Sequence, residues 1–366
     1  MQALILAGGE GTRLRPLTSA VPKPVVPLVD RPFIVFMIDW LRRHGVDDVV
    51  MSCGHLADGV RAVLGDGSAV GVRLRYMEEP KPLGTGGALK YAQELLDERF
   101  LMLNGDTLTD LDLTAQIATH ERVGAQATLA LYAVEDPSSY GLVRLGDDGA
   151  VREFVEKPAP DQIDTNNISA GAYVLERSVL DLLVYGERAS IERDVFPRLV
   201  GNGLYGHVSG GYWMDIGTPE RYLEATFDIL EGNVATEVSE RLGETFLCVE
   251  EGVTRDGRII PPALIEAGCV IGAGARVGGR AVLERNVTVG AGTIIESAVV
   301  MEGARIGANC ALHNCIIAAG VTIGDHCTIN GLSVVGEGVT LGAGNQLSHG
   351  ARLFPGVSLP EGALLF

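Results

Sequence analysis

Residues 3–13 read Ala3-Leu4-Ile5-Leu6-Ala7-Gly8-Gly9-Glu10-Gly11-Thr12-Arg13, a short apolar run that leads directly into glycines. The pattern predicts a buried strand over Ala3–Leu6 followed by a loop that can bend sharply. The main-chain N–H groups of such a loop can point at phosphate oxygens, and Arg13 adds a guanidinium suited to pairs of them. The stretch therefore predicts a phosphate-binding loop at the carboxyl end of the first strand.

The remainder of the first 235 residues alternates strand-like and helix-like stretches. Helices are predicted over Pro32–His44, Ala57–Leu64 and Thr85–Leu96, and strands over Asp48–Ser52, Arg73–Met77 and Phe100–Leu103. This order predicts an α/β domain with a mostly parallel sheet covered by helices on both faces. Ligands of such sheets bind beyond the carboxyl ends of the strands, where Ala7–Gly9 and Asn104–Asp106 both fall.

A different pattern begins after Pro261-Pro262, where aliphatic residues recur every six positions. The series runs through Ile265, Ile271, Val277, Leu283, Val289 and Ile295, and it resumes after slips of one residue at Val300, Ile306 and Leu312, and at Ile317, Ile323, Ile329, Val335, Leu341, Leu347, Leu353 and Leu359. A period of six fits a solenoid of very short strands joined by tight turns. We predict a C-terminal left-handed parallel β-helix of hexapeptide repeats over residues 261–366. The polar residues 236–260 are predicted to be a linker between it and the domain of residues 1–235.

Composition excludes several classes of partner. The net charge of −18 argues against binding to nucleic acid or to an anionic membrane surface, because neither attracts a strongly negative protein. The six cysteines form no C-x-x-C pair and are predicted to be reduced thiols of the core. No leader-like start and no apolar run of roughly 18–20 residues is present, which predicts a soluble cytoplasmic protein.

Two well-known phosphate-binding motifs do not match the opening loop. A P-loop needs Gly-Lys followed by Ser or Thr, and the dinucleotide fingerprint needs a third glycine where Leu14 stands. Ten residues after Arg13, the prolines of Pro22-Lys23-Pro24 stiffen the backbone around a single lysine. We interpret Lys23 as a second cation held beside the loop.

The run Gly8-Gly9-Glu10-Gly11-Thr12-Arg13-Leu14-Arg15-Pro16-Leu17-Thr18, followed by Pro22-Lys23-Pro24, resembles the signature of the sugar-phosphate nucleotidylyltransferases, or NDP-sugar pyrophosphorylases. The resemblance covers the whole chain, including the hexapeptide repeats. Within the family the chain is most similar to the mannose-1-phosphate guanylyltransferases, on the strength of Pro82–Leu89, Ser190–Pro197 and the β-helix. It implies a Rossmann-like nucleotidyltransferase domain that transfers a nucleoside monophosphate from a triphosphate to a sugar 1-phosphate. The implied substrates are GTP and mannose 1-phosphate.

The resemblance also implies a set of site residues. The nucleotide contacts would be Leu6, Ala7, Gly8, Gly9, Gly11, Thr12, Arg13, Glu79, Lys81, Gly86 and Asp106. The catalytic residues would be Arg13, Lys23, Asp106 and Asp215, of which the two aspartates would hold Mg²⁺. The sugar phosphate would contact Tyr140, Gly141, Glu156, Lys157 and Ser169. The family commonly has Asn-Ala-Gly where this chain has Ser169-Ala170-Gly171, so the sugar end of the site departs from the pattern.

The chemistry of this reaction agrees with the residues. The attacking phosphate is already an anion, so the site needs cations and positioning rather than a general base. Two alternatives stay open at this point. One keeps the reaction with other substrates, such as UTP or dTTP with glucose 1-phosphate, or ATP with a related sugar. The other is a non-catalytic regulatory subunit that senses nucleotide sugars, although such a subunit is expected to lack the catalytic charges. A homo-oligomer assembled through the β-helix is also expected.

Overall fold

The computed structural model describes residues 1–54 and 57–365. Its internal contacts divide the chain into two units. The first contains residues 1–10 and 34–213, and the second contains residues 11–33 and 214–366. This division does not follow the predicted boundary at residue 235, because two segments from the N-terminal part make their contacts mainly with the C-terminal part.

The first unit is built from alternating helices and strands. Its helices are α1 (Phe33–Arg43), α2 (Ala57–Leu64), α3 (Gly84–Tyr91), α4 (Leu113–Val123) and α5 (Phe196–Leu199). Its strands are β1 (Gln2–Leu6), β2 (Asp48–Cys53), β3 (Arg73–Glu78), β4 (Arg99–Asn104), β5 (Thr107–Thr109), β6 (Ala127–Ala133), β7 (Gly141–Leu145), β8 (Val151–Glu156), β9 (Asn167–Glu176) and β10 (Leu204–Val208). The predicted helices and strands are confirmed to within a few residues, except that α3 ends at Tyr91 and a 3₁₀ turn over Gln93–Leu95 follows it.

The central sheet has the order β8-β7-β9-β4-β1-β2-β3, and β6 pairs with both β9 and β10. The strands β4, β1, β2 and β3 run parallel, whereas β9 runs antiparallel to β4, β6 and β7. The parallel part supplies the shared edge that the sequence predicted, because Leu6 at the end of β1 pairs with Ser52 and Asn104. The Rossmann-like arrangement is thus confined to β4-β1-β2-β3.

Helix α1 illustrates why this part of the chain is helical. Every residue from Phe33 to Leu41 is buried, including the apolar positions Ile34 and Met37, and only Arg42 and Arg43 at the end of the helix are exposed. The indole Nε1–H of Trp40 on the same helix donates to the carbonyl of Leu111 at 2.8 Å.

The second unit begins with two 3₁₀ turns, Thr12–Leu14 and Lys23–Val25, and a pair of two-residue strands, Pro27–Leu28 and Arg31–Pro32. It continues with strand β11 (Trp213–Asp215), which crosses the boundary, and helices α6 (Pro219–Leu230) and α7 (Glu237–Leu242). The start of α6 follows ordinary capping chemistry, because the Thr218 hydroxyl accepts the Arg221 N–H and proline occupies the first helical position.

The C-terminal part consists of short parallel strands in two ladders. One ladder contains Thr254–Arg255, Val270–Ile271, Thr288–Val289, Arg305–Ile306, Thr322–Ile323, Thr340–Leu341 and Ser358–Leu359. The other contains Leu247–Val249, Arg258–Ile260, Ala263–Ile265, Arg276–Leu283, Ile294–Val300, Ala311–Ile317, Thr328–Ile329, Ser333–Val335, Gln346–Leu347 and Arg352–Leu353. These parallel ladders fit the predicted β-helix, whose handedness stays a prediction.

The register of the ladders explains both the six-residue period and its slips. Val277 pairs with Ile295 in the next coil, one full set of three hexapeptides further along the chain. Ile295 pairs with Leu312, so the spacing between these partners is one residue shorter, and the periodicity first slips within this coil. A slip is therefore a coil that is shorter by one residue. The aliphatic positions from Ile265 to Leu347 are at most 3% exposed and form one continuous core, as predicted.

Residues 236–260 are ordered secondary structure, whereas their polar composition predicted a linker. They contain α7 and short strands, and Leu247–Val249 pairs in parallel with Ala263–Ile265. The six-residue series in fact continues backwards from Ile265 through Ile259, Val253 and Leu247, and Ile259 and Val253 pack against the core of the coils. The repeat therefore begins earlier than the predicted start after Pro261-Pro262.

Five of the six cysteines are buried as free thiols, as predicted, and Cys248 is half-buried. No helix in the described part of the chain is both long and apolar enough to cross a membrane.

Candidate active site

The carboxyl end of β1 is packed closely against its neighbours. The Ala7 N–H donates to the Ser52 carbonyl (2.8 Å), and the Gly105 N–H donates to the Leu6 carbonyl (2.9 Å). A Cβ atom on Gly105 would lie 2.7 Å from the Leu6 oxygen, so only glycine fits there. This glycine brings the half-buried Asp106 next to the end of β1. Two motifs that lie about a hundred residues apart in the sequence thus meet at one edge, as predicted.

Gly8 and Gly9 differ in what surrounds them. A Cβ on Gly54 would lie 2.8 Å from the Gly8 carbonyl, so the backbone at Gly8 is fixed by close packing against the end of β2. At Gly9 no atom of the described residues, apart from its chain neighbours, lies within 4 Å of the position that a Cβ would take. The packing at Gly8 leaves the main chain at Gly9 accessible to a ligand.

Glu79 is engaged within the protein. Its Oε1 accepts the Ser52 hydroxyl (2.9 Å) and its Oε2 accepts the Leu83 N–H (3.0 Å). The carboxylate therefore links the end of β2 to the turn before α3. Its predicted contact with the nucleotide stays a prediction, as does that of the exposed Lys81.

The glycine-rich turn at the start of α3 is fitted against a later segment of the chain. The N–H groups of Gly86 and Gly87 both donate to the Ala189 carbonyl, at 3.0 and 3.2 Å. A Cβ on Gly87 would lie 2.5 Å from the Glu187 carbonyl, and one on Gly86 would lie 3.2 Å from the Ile191 nitrogen. The glycines thus allow close packing. The predicted contact of Gly86 with a base is not tested by this packing.

A carboxylate that the sequence reasoning did not assign to the site lies in this segment. The Oε2 of Glu192 accepts hydrogen bonds from the hydroxyls of Thr85 and Ser190, both at 2.7 Å. The Thr85 hydroxyl in turn accepts the Ile191 N–H at 2.9 Å. In the sequence, Ser190–Pro197 shows only a resemblance to the family, and its apolar spacing gives no sign of this network.

The Glu192 carboxylate affects the pKa of Glu156. Burial raises the pKa of Glu156, and repulsion from Glu192 raises it further, while Lys157 and Arg193 act in the opposite direction. Two carboxylates and two cations therefore lie near one another in the first unit.

The predicted sugar contacts are brought together at the end of the β7–β8 pair. Gly141 is the pairing partner of Glu156, and a Cβ on Gly141 would lie 3.2 Å from the Glu156 Oε2. The Lys157 N–H donates to the Tyr140 carbonyl at 3.1 Å, which ties the two motifs together through the backbone. The Tyr140 ring makes an edge contact with Trp213, with ring centroids 5.3 Å apart.

Ser169 lies at an irregularity in β9, where the register with β6 shifts between Ser169 and Tyr173. Its hydroxyl is 3.1 Å from the Tyr173 hydroxyl. A Cβ on Gly171 would lie 2.8 Å from the Asn104 amide nitrogen, so the Ser-Ala-Gly stretch comes directly against the strand end that precedes Asp106.

The second unit holds the remaining predicted residues. Gly11 has a positive φ of 62°, and its carbonyl accepts the Thr18 hydroxyl at 2.7 Å. Arg13 Nη2 lies 4.0 Å from Asp215 Oδ2, at the outer limit of an ion pair. The Arg13 side chain is 66% exposed, whereas the Asp215 side chain is 22% exposed. A Cβ on Gly217 would lie 2.6 Å from Arg13 Nη2, so this glycine makes room for the guanidinium.

Lys23 is buried, in contrast to most lysines. It lines a largely apolar cavity of the second unit together with Leu14, Val26, Leu28, Phe33, Ile216 and Tyr222. A Cβ on Gly11 would lie 3.2 Å from the Cβ of Lys23, so the lysine lies directly beside this turn of the loop. The lysine lies beside the loop, and its role as a cation for the phosphates stays a prediction.

Both the N-terminal and the C-terminal parts of the chain match known protein families. The Nucleotidyl transferase family model matches residues 2–232, and the GMPPB C-terminal domain model matches residues 259–356. Mannose-1-phosphate guanylyltransferase from Mycobacterium tuberculosis is 35% identical over 100% of this chain and 98% of its own. UTP--glucose-1-phosphate uridylyltransferase from Synechocystis sp. is 32% identical over 84% of each chain. The crystal structure of HddC from Yersinia pseudotuberculosis complexed with GMP-PN aligns with a TM-score of 0.54 at 30% identity, covering 61% of this chain and 97% of that chain.

Proposed function

The chain belongs to the nucleotidyl transferase family, and from that premise we propose that it transfers GMP from GTP to mannose 1-phosphate, which yields GDP-mannose and pyrophosphate. The observation that carries the proposal is the match with a mannose-1-phosphate guanylyltransferase over the full length of both chains. The match of the repeats to the GMPPB C-terminal domain and the guanine-nucleotide complex of HddC support the choice of base. The broader statement, that the chain is a sugar-1-phosphate nucleotidylyltransferase, follows from family membership.

The proposed reaction balances without a general base. An oxygen of the sugar phosphate forms a bond to the α-phosphorus of the triphosphate, and the bond from that phosphorus to the oxygen bridging to the β-phosphate breaks. Pyrophosphate leaves with the electron pair of the broken bond. The main barrier is repulsion between anions, which fixed cations and oriented N–H groups reduce.

The opening loop is proposed to hold the triphosphate. The accessible main chain at Gly9 supports a role for its N–H groups as phosphate ligands. The exposed guanidinium of Arg13 is proposed to bind phosphate oxygens in pairs, and Lys23 to neutralise charge from behind the loop. The remaining predicted nucleotide contacts, which are Leu6, Ala7, Thr12, Glu79, Lys81 and Gly86, are proposed on the family resemblance alone.

Nucleotidyl transferases usually require a divalent cation, and we propose that Mg²⁺ is held by Asp106 and Asp215. No three His, Cys, Asp or Glu side chains of the described residues form a ready-made metal cage. Aspartate is nonetheless a suitable ligand type for Mg²⁺, because this ion is usually bound by one or two carboxylates together with substrate phosphates and waters. When bound, it would neutralise charge that develops on the phosphate oxygens.

The sugar phosphate is proposed to bind at the end of the β7–β8 pair. Glu156 is half-buried opposite Gly141, and its carboxylate is proposed to accept a hydrogen bond from a sugar hydroxyl. Lys157 is exposed and is proposed to bind the phosphate, while Tyr140 packs against the sugar. The hydroxyl pair of Ser169 and Tyr173 is proposed to replace the amide that relatives commonly carry there.

A second candidate is the same reaction with UTP or dTTP and glucose 1-phosphate. This candidate is supported by the similarity to a glucose-1-phosphate uridylyltransferase and by the serine at position 169. A non-catalytic sensing subunit is a weaker candidate, because the chain carries the charged residues that the family resemblance assigns to catalysis, which are Arg13, Lys23, Asp106, Lys157 and Asp215.

Pyrophosphate release, measured for five nucleoside triphosphates against mannose 1-phosphate and glucose 1-phosphate, decides between these functions. We expect turnover with GTP and mannose 1-phosphate that stops when EDTA is added. Asp106→Asn is expected to lower the rate at least about a hundredfold, whereas the change Glu94→Gln at an exposed surface position is expected to leave it unchanged. Turnover only with glucose 1-phosphate and UTP or dTTP would reject GDP-mannose, and no turnover in any combination would favour the sensing subunit.

A further inference from the structure

Arg352 joins the last coils to the opening loop within the second unit. The strand Arg352–Leu353 directs Leu353 toward the core of the coils, so the side chain of Arg352 points outward. Its Nη1 donates to the carbonyl oxygen of Arg13 at 3.0 Å and to that of Arg15 at 2.9 Å. A single nitrogen thus bridges two backbone carbonyls of a loop that lies more than three hundred residues earlier in the sequence.

The loop needs this donor because of its own sequence. In the 3₁₀ turn, the carbonyls of Gly11 and Thr12 accept the N–H groups of residues three positions later. The Arg13 carbonyl would accept from residue 16 in the same way, but Pro16 has no N–H to donate. Arg352 supplies a donor from outside the turn. A carbonyl that the local sequence leaves unpaired is thereby satisfied by a charged group.

We propose that Arg352 is a positioning residue, which fixes the backbone of residues 13–15 and so aims the Arg13 guanidinium at the phosphates of the nucleotide. The catalytic part of this inference rests on the proposed function. The Arg13 guanidinium lies against Gly217 and 4.0 Å from Asp215, so its direction depends on where the backbone of residues 13–15 is held relative to them. In this role, the last coils of the β-helix help to position the loop that binds the nucleotide. This role predicts that the loop loosens when Arg352 is removed.

The expected effect is moderate and specific to the nucleotide. Arg352 is exposed, so water replaces part of what is lost when its two hydrogen bonds are removed. We expect Arg352→Ala to raise KM for the triphosphate about tenfold, with KM for the sugar phosphate and the melting temperature nearly unchanged. A loss of folded protein would instead lower kcat at constant KM. Arg352→Lys keeps a positive donor and is expected to recover part of the affinity.

The test uses the full chain and two independent readouts. KM for the triphosphate is measured for wild type, Arg352→Ala, Arg352→Lys and the control Arg305→Ala, which removes an exposed arginine from another coil. Hydrogen exchange is followed for a peptide covering residues 11–19, which contains the Leu14 and Arg15 amides of the turn. We expect faster exchange in this peptide for Arg352→Ala and unchanged exchange for Arg305→Ala.

The outcomes separate this inference from the proposed function. If wild type turns over substrate and Arg352→Ala matches it in KM and in exchange, the positioning role is wrong and the function stands. If exchange in residues 11–19 does not change, the role is wrong whatever the kinetics are. If wild type turns over no substrate, the proposed function fails, and faster exchange still supports the structural contact while slower or equal exchange rejects it.

Discussion

Removal of the Glu192 carboxylate is expected to loosen the packing of α3 against the segment that follows residue 187. Glu192→Ala deletes the acceptor of the hydrogen bonds from Thr85 and Ser190, both at 2.7 Å. A hydrogen bond to a charged group contributes about 1.5–3 kcal/mol when it is buried. Since Glu192 is only half-buried, we take the lower end for each bond and expect a loss of about 2–3 kcal/mol in the free energy of unfolding.

The tryptophans provide an assay for the first unit alone. The chain has two tryptophans, Trp40 and Trp213, and both belong to the first unit. Their fluorescence during urea unfolding therefore reports on the part of the chain that contains Glu192. We expect the midpoint for Glu192→Ala to fall by roughly 1 M urea and that for Glu192→Gln to fall less, because glutamine keeps an acceptor oxygen.

The exposed Glu187 offers a matched control in the same segment. Glu187→Gln removes one negative charge without touching the network and is expected to unfold like wild type. If Glu192→Ala unfolded at the same urea concentration as Glu187→Gln, the reasoning about the network would be refuted. The alanine variant should also lower the pKa of Glu156, because it removes a repelling charge. The acidic limb of the pH profile for the sugar phosphate KM is then expected to move to lower pH.

Two further predictions concern the second unit. Gly11→Ala places a Cβ at positive φ and 3.1–3.2 Å from side-chain atoms of Thr18 and Lys23, so it should cost about 1–2 kcal/mol locally and raise KM for the triphosphate; an unchanged KM would contradict the assigned loop geometry. Burial raises the pKa of Glu284 to about 8, and its Oε2 accepts the Glu302 N–H at 3.0 Å. Because the folded pKa lies above the unfolded one, the stabilising contribution of the protonated form is complete below about pH 4.5 and is lost as pH rises through about 8. Thermal unfolding followed by circular dichroism should therefore show a decline in stability from pH 5 to 9 that is smaller in Glu284→Gln, and an equal decline in the two proteins would contradict it.

Much of the fold was predictable because it repeats simple periods. The helical spacing around Met37 and the six-residue spacing of Ile271, Val289 and their equivalents each imply one geometry, and the structure confirms both. Even the slips in the repeat have a direct meaning, since each is a coil shortened by one residue. The cytoplasmic location, the oligomeric state and the handedness of the β-helix stay predictions.

Three features of the structure were not predicted from the spacing of residues in the sequence. The strands within residues 236–260 are two or three residues long and lie among many charged residues, so the composition suggests a linker although the six-residue series continues through Leu247, Val253 and Ile259. Glu192 has no regular spacing with Thr85 or Glu156, and its role arises only when the chain between them has folded. The same holds for Arg352, which the sequence presents as one more arginine of a repeat.

The sequence by itself determined which chemical groups the opening loop carries. Glycines at positions 8, 9 and 11, a guanidinium at Arg13 and a proline-flanked Lys23 predict a phosphate-binding loop, because those groups carry their hydrogen-bonding capacity and charge in any fold. Only the tertiary structure decided what holds the loop in place. Pro16 has no N–H to donate to the Arg13 carbonyl, and Arg352 near the other end of the chain donates a hydrogen bond to it instead. Contacts of that kind depend on the path of the whole chain, since a long-range hydrogen bond has no period and no fixed spacing along the sequence.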